Sequence, residues 1–258
     1  MKAIEVFNLH FSYDKTPTQW LLNGINFTVS PGECVAMIGR NGAGKSTLVK
    51  LICNQLQAQS GLVKINGRRS DKLTAAERAV MLSVVQQGIY SDFPFKVREV
   101  AAMSRVMRHG WLGRLTEEDN SAVEQALAAC GLSGFEERIF SELSGGERQL
   151  VMLAGVLAQD SGILLLDEPT SAMDLGRSVE VMKLLNCWCR ERNYAMLIIS
   201  HNLELMARYV DRMVALKNGN IISDGPPRQV ITPELIYDLY GFTPKIMSGD
   251  CGEVLLSY

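Results

Sequence analysis

Apolar and polar residues alternate in the first part of the chain. Apolar positions alternate with polar ones from Ile25 to Val29 and from Val63 to Ile65, and more loosely from Ile4 to Tyr13, where Val6, Leu9 and Phe11 carry the pattern. The turn pairs Asn23-Gly24 and Asn66-Gly67 lie beside the first two of these stretches. A period of two with one polar face is typical of strands in a half-exposed antiparallel sheet. The sequence therefore predicts an antiparallel β subdomain here.

Other stretches are apolar at every position or at helical spacing. Continuous apolar runs predict buried strands of an α/β core at 33–38, 81–85, 163–166 and 195–199. Helical spacing prevails over Val97 to Arg105, and Thr116 begins a second helical segment that stops at Gly131. We therefore expect an α/β core at 1–87 and 161–240, an inserted α-helical subdomain at 88–160, and a tail at 241–258 with a short added hairpin.

Composition narrows the class of protein. With 258 residues and 47% hydrophobic side chains, the chain can bury a full core. A formal net charge of -2 without a local block of Lys and Arg argues against a nucleic-acid partner. The sequence shows no signal peptide or membrane-spanning run, which predicts a cytosolic protein. Six scattered cysteines and three histidines suggest neither a zinc site nor a disulfide framework.

One stretch fits the phosphate-loop pattern G-x-x-x-x-G-K-[ST]. It lies between a predicted strand and a predicted helix and consists of Gly39, Arg40, Asn41, Gly42, Ala43, Gly44, Lys45, Ser46 and Thr47. At such a junction, free backbone N–H groups and the helix dipole favour an anion. The Lys45 ammonium suits the β and γ phosphates, and the Ser46 hydroxyl suits Mg²⁺. The alternative is a chance glycine-rich loop, which the flanking strand and helix disfavour. We predict an ATP and Mg²⁺ site.

A second stretch could also bind an anion. Ser144, Gly145, Gly146 and Glu147 open an apolar helical face, so their backbone forms another helix N-terminus. One ATP cannot need both loops of a single chain.

Acidic side chains follow the apolar run at 163–166. Asp167 and Glu168 lie at the carboxyl end of this predicted strand, where open α/β sheets bind ligands. Because successive strand residues point to opposite faces, Asp167 can face Mg²⁺ while Glu168 faces the attacking water. Taken alone, the pair could equally be solvated strand-end acids.

Three more side chains are candidates for the same site. Gln87 ends the predicted strand at 81–85 and can reach Mg²⁺ or water, although a solvated cap is the alternative. His201 follows the strand at 195–199 and suits a γ-phosphate contact, although a lone His is usually structural. Tyr13 offers an aromatic face to a purine base, or is an ordinary edge tyrosine.

The order of these motifs resembles the ATPase subunit of an ATP-binding-cassette transporter. The likeness runs from Ile4 to about Tyr240 and includes Leu143-Ser144-Gly145-Gly146-Glu147 and Ser171-Ala172-Met173-Asp174. It implies a P-loop NTPase core of the RecA type. Met173 and Gly155 depart from the family pattern, where Leu and Arg are usual.

The resemblance implies a role for each candidate. Tyr13 would stack on adenine, the phosphate loop with Lys45 would hold the phosphates, and Ser46 and Gln87 would contact Mg²⁺; Gln86 is the alternative to Gln87. Asp167 would be a further metal partner, Glu168 the general base and His201 the γ-phosphate sensor.

The resemblance also implies an assembly. Ser144, Gly145, Gly146 and Glu147 would contact ATP bound to a second copy, with Asp174 at the seam of a head-to-tail dimer. Membrane permease subunits and a substrate-binding protein would complete the complex, with this chain peripheral on the cytoplasmic side of the (inner) cell membrane. We predict the permease dock at Tyr90, Phe93, Pro94 and Phe95, where ordinary core packing is the alternative.

A narrower resemblance concerns the substrate. The stretches 97–105, 111–114 and 233–241 are similar to importer ATPases for iron chelates, haem and cobalamin. Molybdate or tungstate importers, exporters and non-transport ATPases of this family stay open as alternatives. A DNA-acting relative would carry a long heptad insertion, and a translation-associated one would hold two cassettes; neither feature is visible.

Overall fold

The computed structural model describes residues 1–86, 93–109, 114–248 and 254–257. Its strands are β1 Ile4–Phe11, β2 Leu22–Val29, β3 Cys34–Ile38, β4 Ser60–Ile65, β5 Arg68–Arg69, β6 Ser83–Val85, β7 Ile163–Asp167, β8 Ala195–Ile199, β9 Arg212–Lys217, β10 Asn220–Gly225, β11 Lys245–Ser248 and β12 Val254–Ser257. Its α-helices are α1 Lys45–Ile52, α2 Ala75–Met81, α3 Val97–His109, α4 Glu117–Ala129, α5 Gly145–Gln159, α6 Leu175–Glu191, α7 Leu203–Tyr209, α8 Pro227–Val230 and α9 Pro233–Tyr240.

The first compact unit comprises Met1–Leu73 and Trp188–Tyr258. One of its sheets has the strand order β2-β1-β4-β5 and is antiparallel. Ile4 pairs with Val29 and with Ile65, and all three side chains are buried. The alternating pattern of the sequence therefore predicted this antiparallel sheet correctly, because its apolar face packs inward while the polar face meets solvent.

The same unit contains four further strands in the order β10-β9-β3-β8. β3 is parallel to β8 and β9, whereas β10 is antiparallel to β9. Every residue of β3 and β8 is buried, as the continuous apolar runs predicted. Since parallel strands end at the same edge, the residues after β3 and those after β8 share one edge of the sheet.

The second compact unit comprises Thr74–Cys187. β6 and β7 are parallel, with Ser83 opposite Leu164. Its helices α3, α4 and α5 are fastened by a buried ion pair in which Arg105 Nε lies 2.7 Å from Asp119 Oδ1. Arg105 Nη1 also donates to the Ala158 carbonyl oxygen at 3.0 Å. The helical segments predicted after Val97 and Thr116 are thus present. The limits 88–160 for an insertion stay a prediction.

Local boundaries differ from the sequence expectation. Met81 ends α2 instead of beginning a strand, because Thr74 and Glu77 form a capping box that starts a helix there. α1 ends at Ile52, short of Leu56, and Asn54 then takes a positive φ of 53°. The expected tail hairpin exists as β11 paired antiparallel with β12.

No helix within the described ranges has both the length and the apolar character needed to cross a membrane.

Candidate functional site

The phosphate loop occupies the turn between β3 and α1 in the first unit. Gly39 has a φ of 148°, and a Cβ there would lie 2.2 Å from the Leu216 carbonyl oxygen. Gly44, the N-cap of α1, has a φ of 103°. Residues that carry a side chain rarely adopt such φ angles. Glycine is therefore required at Gly39 by both backbone angle and space.

The loop presents donors to an anion. Lys45 is buried, and its Nζ donates to the carbonyl oxygens of Gly39 at 2.7 Å and Arg40 at 3.0 Å. Among the described residues, the backbone N–H groups of Gly42 and Ser46 have no hydrogen-bond acceptor. These amides lie at the positive end of α1, so the arrangement suits phosphate oxygens.

Tyr13 lies beside this loop. Its hydroxyl is 3.2 Å from Thr47 Oγ1, and its ring packs edge-on against Phe11 with centroids 5.0 Å apart. The side chain is nevertheless 63% exposed. An exposed ring anchored at its hydroxyl leaves a face available for a planar ligand next to the phosphate loop.

His201 shares the sheet edge with the phosphate loop. Met37 of β3 is paired with Ile199 of β8. Gly39 comes two residues after Met37, and His201 comes two residues after Ile199, so both lie at the carboxyl ends of neighbouring strands. Ser200 is buried and its Oγ accepts a hydrogen bond from Asn202 N at 3.2 Å. His201 itself is exposed.

Asp167 and Glu168 end β7 in the second unit. Asp167 is buried, whereas Glu168 is half-buried with a φ of 53°. All other residues with positive φ in the described part of the chain are glycine, asparagine or aspartate. Backbone strain of this kind concentrates at functional sites.

Main-chain contacts hold Glu168 in this conformation. Its carbonyl oxygen accepts hydrogen bonds from Gln149 Nε2 at 3.2 Å and from Ser171 Oγ at 3.1 Å. The sequence analysis assigned no role to Gln149, and helical spacing alone could not reveal this contact. Gln149 therefore connects the helix that follows Ser144 to the candidate general base.

Ser144 caps the N-terminus of α5. Its Oγ accepts from Glu147 N at 3.3 Å and donates to Glu147 Oε2 at 2.7 Å. These hydrogen bonds from the Ser144 hydroxyl and backbone N–H lower the pKa of Glu147. The helix end predicted at Ser144 is present.

The helix end at Gly146 has little space for a side chain. A Cβ on Gly146 would lie 3.1 Å from the Ala172 carbonyl oxygen, and one on Gly145 would lie 3.7 Å from Ala172 Cβ. Farther along, Asp174 Oδ1 accepts from Arg177 N at 2.8 Å. The segment 171–174 is therefore packed against the start of α5.

The two units divide the candidates between them. The first holds Tyr13, residues 39–47 and His201; the second holds Asp167, Glu168 and residues 144–147. Gln87 lies outside the described residues. No group of three or more His, Cys, Asp or Glu suited to a metal occurs within the described ranges. Taken separately, the exposed Ser46 hydroxyl and the buried Asp167 carboxylate are each an oxygen ligand of the kind that Mg²⁺ prefers.

Comparisons with known proteins point to one family. The profile of a family described as "ABC transporter" matches residues 22–171. A hemin import ATP-binding protein of Streptomyces coelicolor is 41% identical over 223 residues, which cover 85% of this chain and 78% of that protein. A petrobactin import ATP-binding protein of Bacillus anthracis is 34% identical over 228 residues, covering 88% of this chain and 84% of that protein.

A solved structure has the same fold. It is a metal-chelate type ABC transporter in an inward-facing conformation, with a TM-score of 0.84 and 25% sequence identity. The match covers 100% of this chain and 98% of that chain. The α/β P-loop NTPase fold expected from the sequence is thus confirmed.

Proposed function

Since this chain belongs to the ABC transporter family and is an ATP-hydrolysing domain of that family, we propose that it powers import of a metal chelate of the haem or siderophore class through a membrane permease. The 41% identity to a hemin import ATP-binding protein is the observation that carries this proposal. Identity to a petrobactin import protein supports the same class.

The first unit supplies the nucleotide contacts in this proposal. Tyr13 stacks on adenine, and residues 39–47 surround the phosphates with backbone donors. The Lys45 ammonium exchanges the Gly39 and Arg40 carbonyls for β and γ phosphate oxygens. This exchange is favourable because a charged acceptor strengthens a hydrogen bond.

Hydrolysis uses the remaining candidate side chains in this proposal. Glu168 orients the attacking water and accepts its proton, while Asp167 and Ser46, with Gln87 or Gln86, hold the metal. A Mg²⁺ ion held by these residues would supply positive charge that offsets the charge of the phosphates. His201 contacts the γ-phosphate. Gln149 helps to keep the Glu168 backbone in its strained conformation.

We also propose that the active form contains two copies. Ser144, Gly145 and Gly146 form a second helix N-terminus with room for an anion, yet the phosphate loop already accounts for one triphosphate. A head-to-tail pair uses both, because each copy contributes its α5 N-terminus to ATP held by the other, with Asp174 at the seam.

An apolar groove in the second unit is the proposed dock for the permease. It has a volume of about 380 Å³ and is lined by residues that include Phe95, Val100, Met103, Met152 and Val156. Met103 is 45% exposed and neighbouring Phe93 is 69% exposed. A short helix of the permease with one apolar face fits such a groove. Tyr90, also predicted for this dock, lies outside the described residues.

In this proposal the chain binds the permease on the cytoplasmic side of the (inner) cell membrane. A substrate-binding protein would deliver the chelate from the opposite side, as the sequence resemblance implies.

Purification from membranes tests the proposed function. The tagged chain should co-purify with a membrane protein, and proteoliposomes containing both should take up haem or a ferric siderophore only with ATP. A Lys45→Ala variant should assemble equally well but transport nothing. Recovery of the chain without any membrane protein, or uptake that continues in the Lys45→Ala complex, would refute the proposal.

A further inference from the structure

Strand β1 ends two residues before Tyr13, the ring assigned to the purine base. In the pairing of β1 with β4, His10 lies opposite Ser60, and the Gln59 N–H then donates to the His10 carbonyl oxygen at 3.1 Å. The pairing of β1 with β2 reaches Phe11. Both ladders therefore stop before Tyr13, and strand pairing by itself does not fix the backbone of that residue.

The side-chain amide of Gln59 contacts the main chain where the strand pairing stops. Its Oε1 accepts from the Ser12 N–H at 3.1 Å, and its Nε2 donates to the Ser12 carbonyl oxygen at 2.7 Å. Nε2 also donates to the Asp14 carbonyl oxygen at 3.4 Å. The amide thus binds the main chain on both sides of Tyr13, as one more residue of β4 would.

Only one orientation of this amide satisfies its contacts. Because a carbonyl oxygen only accepts and an amide nitrogen only donates, exchanging the two atoms would place like against like at Ser12. Ser12 is buried, so a main-chain group left unpaired there would be costly. The Ser12 Oγ accepts from the Asp14 N–H at 3.2 Å and closes the same turn. Gln59, 47 residues away along the chain, therefore anchors this turn to β4.

The ring of Tyr13 has its own contacts. Its hydroxyl lies 3.2 Å from Thr47 Oγ1 in the phosphate loop, and its edge packs against Phe11. The side chain is still 63% exposed. With the backbone fixed by Gln59 and the hydroxyl fixed by Thr47, the ring is oriented before a ligand binds. Such preorganisation reduces the entropy that is lost on binding.

We propose that Gln59 is a positioning residue for nucleotide binding, which fixes the backbone of Tyr13 so that its ring is oriented to stack on the purine base. This inference rests on the adenine contact of Tyr13 in the proposed function. It assigns Gln59 to binding of the planar base and not to binding of the phosphates, because the amide contacts the main chain that carries Tyr13.

Two ligands separate binding of the base from binding of the phosphates. Isothermal titration calorimetry with Mg²⁺ measures the Kd of a non-hydrolysable ATP analogue and the Kd of inorganic tripolyphosphate, which has no base. The variants are Gln59→Ala, Gln59→Glu, Tyr13→Ala and the double variant Tyr13→Ala/Gln59→Ala. Exposed Gln57→Ala is the matched control. Gln59 is itself exposed, so its replacement opens no cavity in the core, and circular dichroism verifies that each variant folds.

We expect Gln59→Ala to raise the Kd of the ATP analogue by about three- to tenfold, because stacking on one base is weakened. Tripolyphosphate binding should stay near the wild type. Gln59→Glu should have the same effect, since it retains the size of the side chain but loses the donor that faces the Ser12 carbonyl.

The double variant tests whether Gln59 acts through Tyr13. In the Tyr13→Ala chain, Gln59→Ala should change the Kd of the analogue by less than about twofold, because the ring that it positions is gone. KM for ATP should rise in Gln59→Ala while kcat stays nearly unchanged. A merely structural glutamine would instead weaken both ligands and would do so with or without the ring.

An unchanged Kd of the analogue in Gln59→Ala would overturn the inference. Equal weakening of tripolyphosphate would also overturn it, as would an effect of full size in the Tyr13→Ala chain. If Tyr13→Ala itself leaves analogue binding unchanged, the adenine contact of the proposed function fails and this inference fails with it. Weaker binding in Tyr13→Ala with normal binding in Gln59→Ala refutes the inference alone.

Discussion

Glu168, the proposed general base, has a backbone conformation that favours glycine. Its φ of 53° is maintained because its carbonyl oxygen accepts hydrogen bonds from Gln149 and Ser171. A residue in this region costs free energy that neighbouring contacts must offset. Backbone strain at Glu168 agrees with its proposed role, in which the carboxylate has to point towards the attacking water.

Replacing Glu168 with Gln should separate binding from turnover. Glutamine is nearly isosteric but cannot accept the proton of the attacking water, so phosphate release should fall at least about 100-fold, the usual contribution of a general base. Binding of a fluorescent ATP analogue should change less than about threefold, because the phosphate-loop donors are untouched. Exposed Glu191→Gln is the matched control. Turnover retained in Glu168→Gln would remove Glu168 from this role.

Glu33 makes the stability of the first unit depend on pH. Burial raises the pKa of Glu33, but the Ser30 backbone N–H and the Arg212 guanidinium, which lie 2.7 Å from its two carboxylate oxygens, keep the pKa below the ordinary 4.5. A pKa lower in the folded state means that the unfolded chain binds more protons. The stabilisation is therefore present above the ordinary pKa and is lost as pH falls through the folded pKa.

We expect the free energy of unfolding to fall below about pH 4.5 more steeply in the wild type than in Glu33→Gln. Urea unfolding at a series of pH values measures this difference. Exposed Glu234→Gln should retain the wild-type slope. Parallel pH profiles for Glu33→Gln and the wild type would contradict the assignment.

At the scale of elements, one buried ion pair joins α3 to α4. Arg105 of α3 contacts Asp119 of α4 and the Ala158 carbonyl near the end of α5. Asp119 Oδ2 also accepts from the Thr116 backbone N–H and hydroxyl, so a single carboxylate caps α4 and pairs with α3. Removing either charge leaves the other buried.

Asp119→Ala should therefore destabilise the chain by about 3–5 kcal/mol, the usual cost of breaking a buried pair. The double variant Arg105→Met/Asp119→Leu should recover most of that loss, because no isolated charge remains, although the α4 cap is still missing. Urea unfolding of both variants measures the coupling. Exposed Asp71→Ala is the control. A double variant less stable than Asp119→Ala would show that the cost of Asp119→Ala does not come from leaving the Arg105 charge unpaired.

At the scale of the whole molecule, the proposed two-copy site allows a complementation test. Lys45→Ala disables the phosphate loop of one copy, and Ser144→Arg disables the α5 N-terminus of the other. A mixed pair then has one intact site, formed by Lys45 of the Ser144→Arg copy and Ser144 of the Lys45→Ala copy.

Each variant alone should be inactive, and mixing them should restore measurable phosphate release, up to about a quarter of wild-type turnover for random pairing. Mixing two preparations of Lys45→Ala is the control. Activity in the Ser144→Arg chain alone, or no recovery on mixing, would contradict the shared site.

Much of the fold could be predicted from local patterns. Apolar runs correctly indicated β3, β7 and β8, since strands buried on both faces need no polar alternation. The phosphate loop and the Ser144 cap could also be predicted from the sequence. The turn formed by the glycines of the loop and the hydrogen bonds of the Ser144 hydroxyl each involve residues only a few positions apart along the chain. α2 was missed, since its seven residues include none that is buried and therefore show no apolar face.

Contacts between distant residues could not be predicted in this way. The sequence by itself determined the α/β class, the phosphate loop and the family, because these depend on short-range pattern and on order along the chain. Only the tertiary structure placed Leu216 against Gly39, Gln149 on the carbonyl of Glu168, and the Gln59 amide on the main chain of Ser12. Such pairings depend on how strands and helices pack, which no local period encodes.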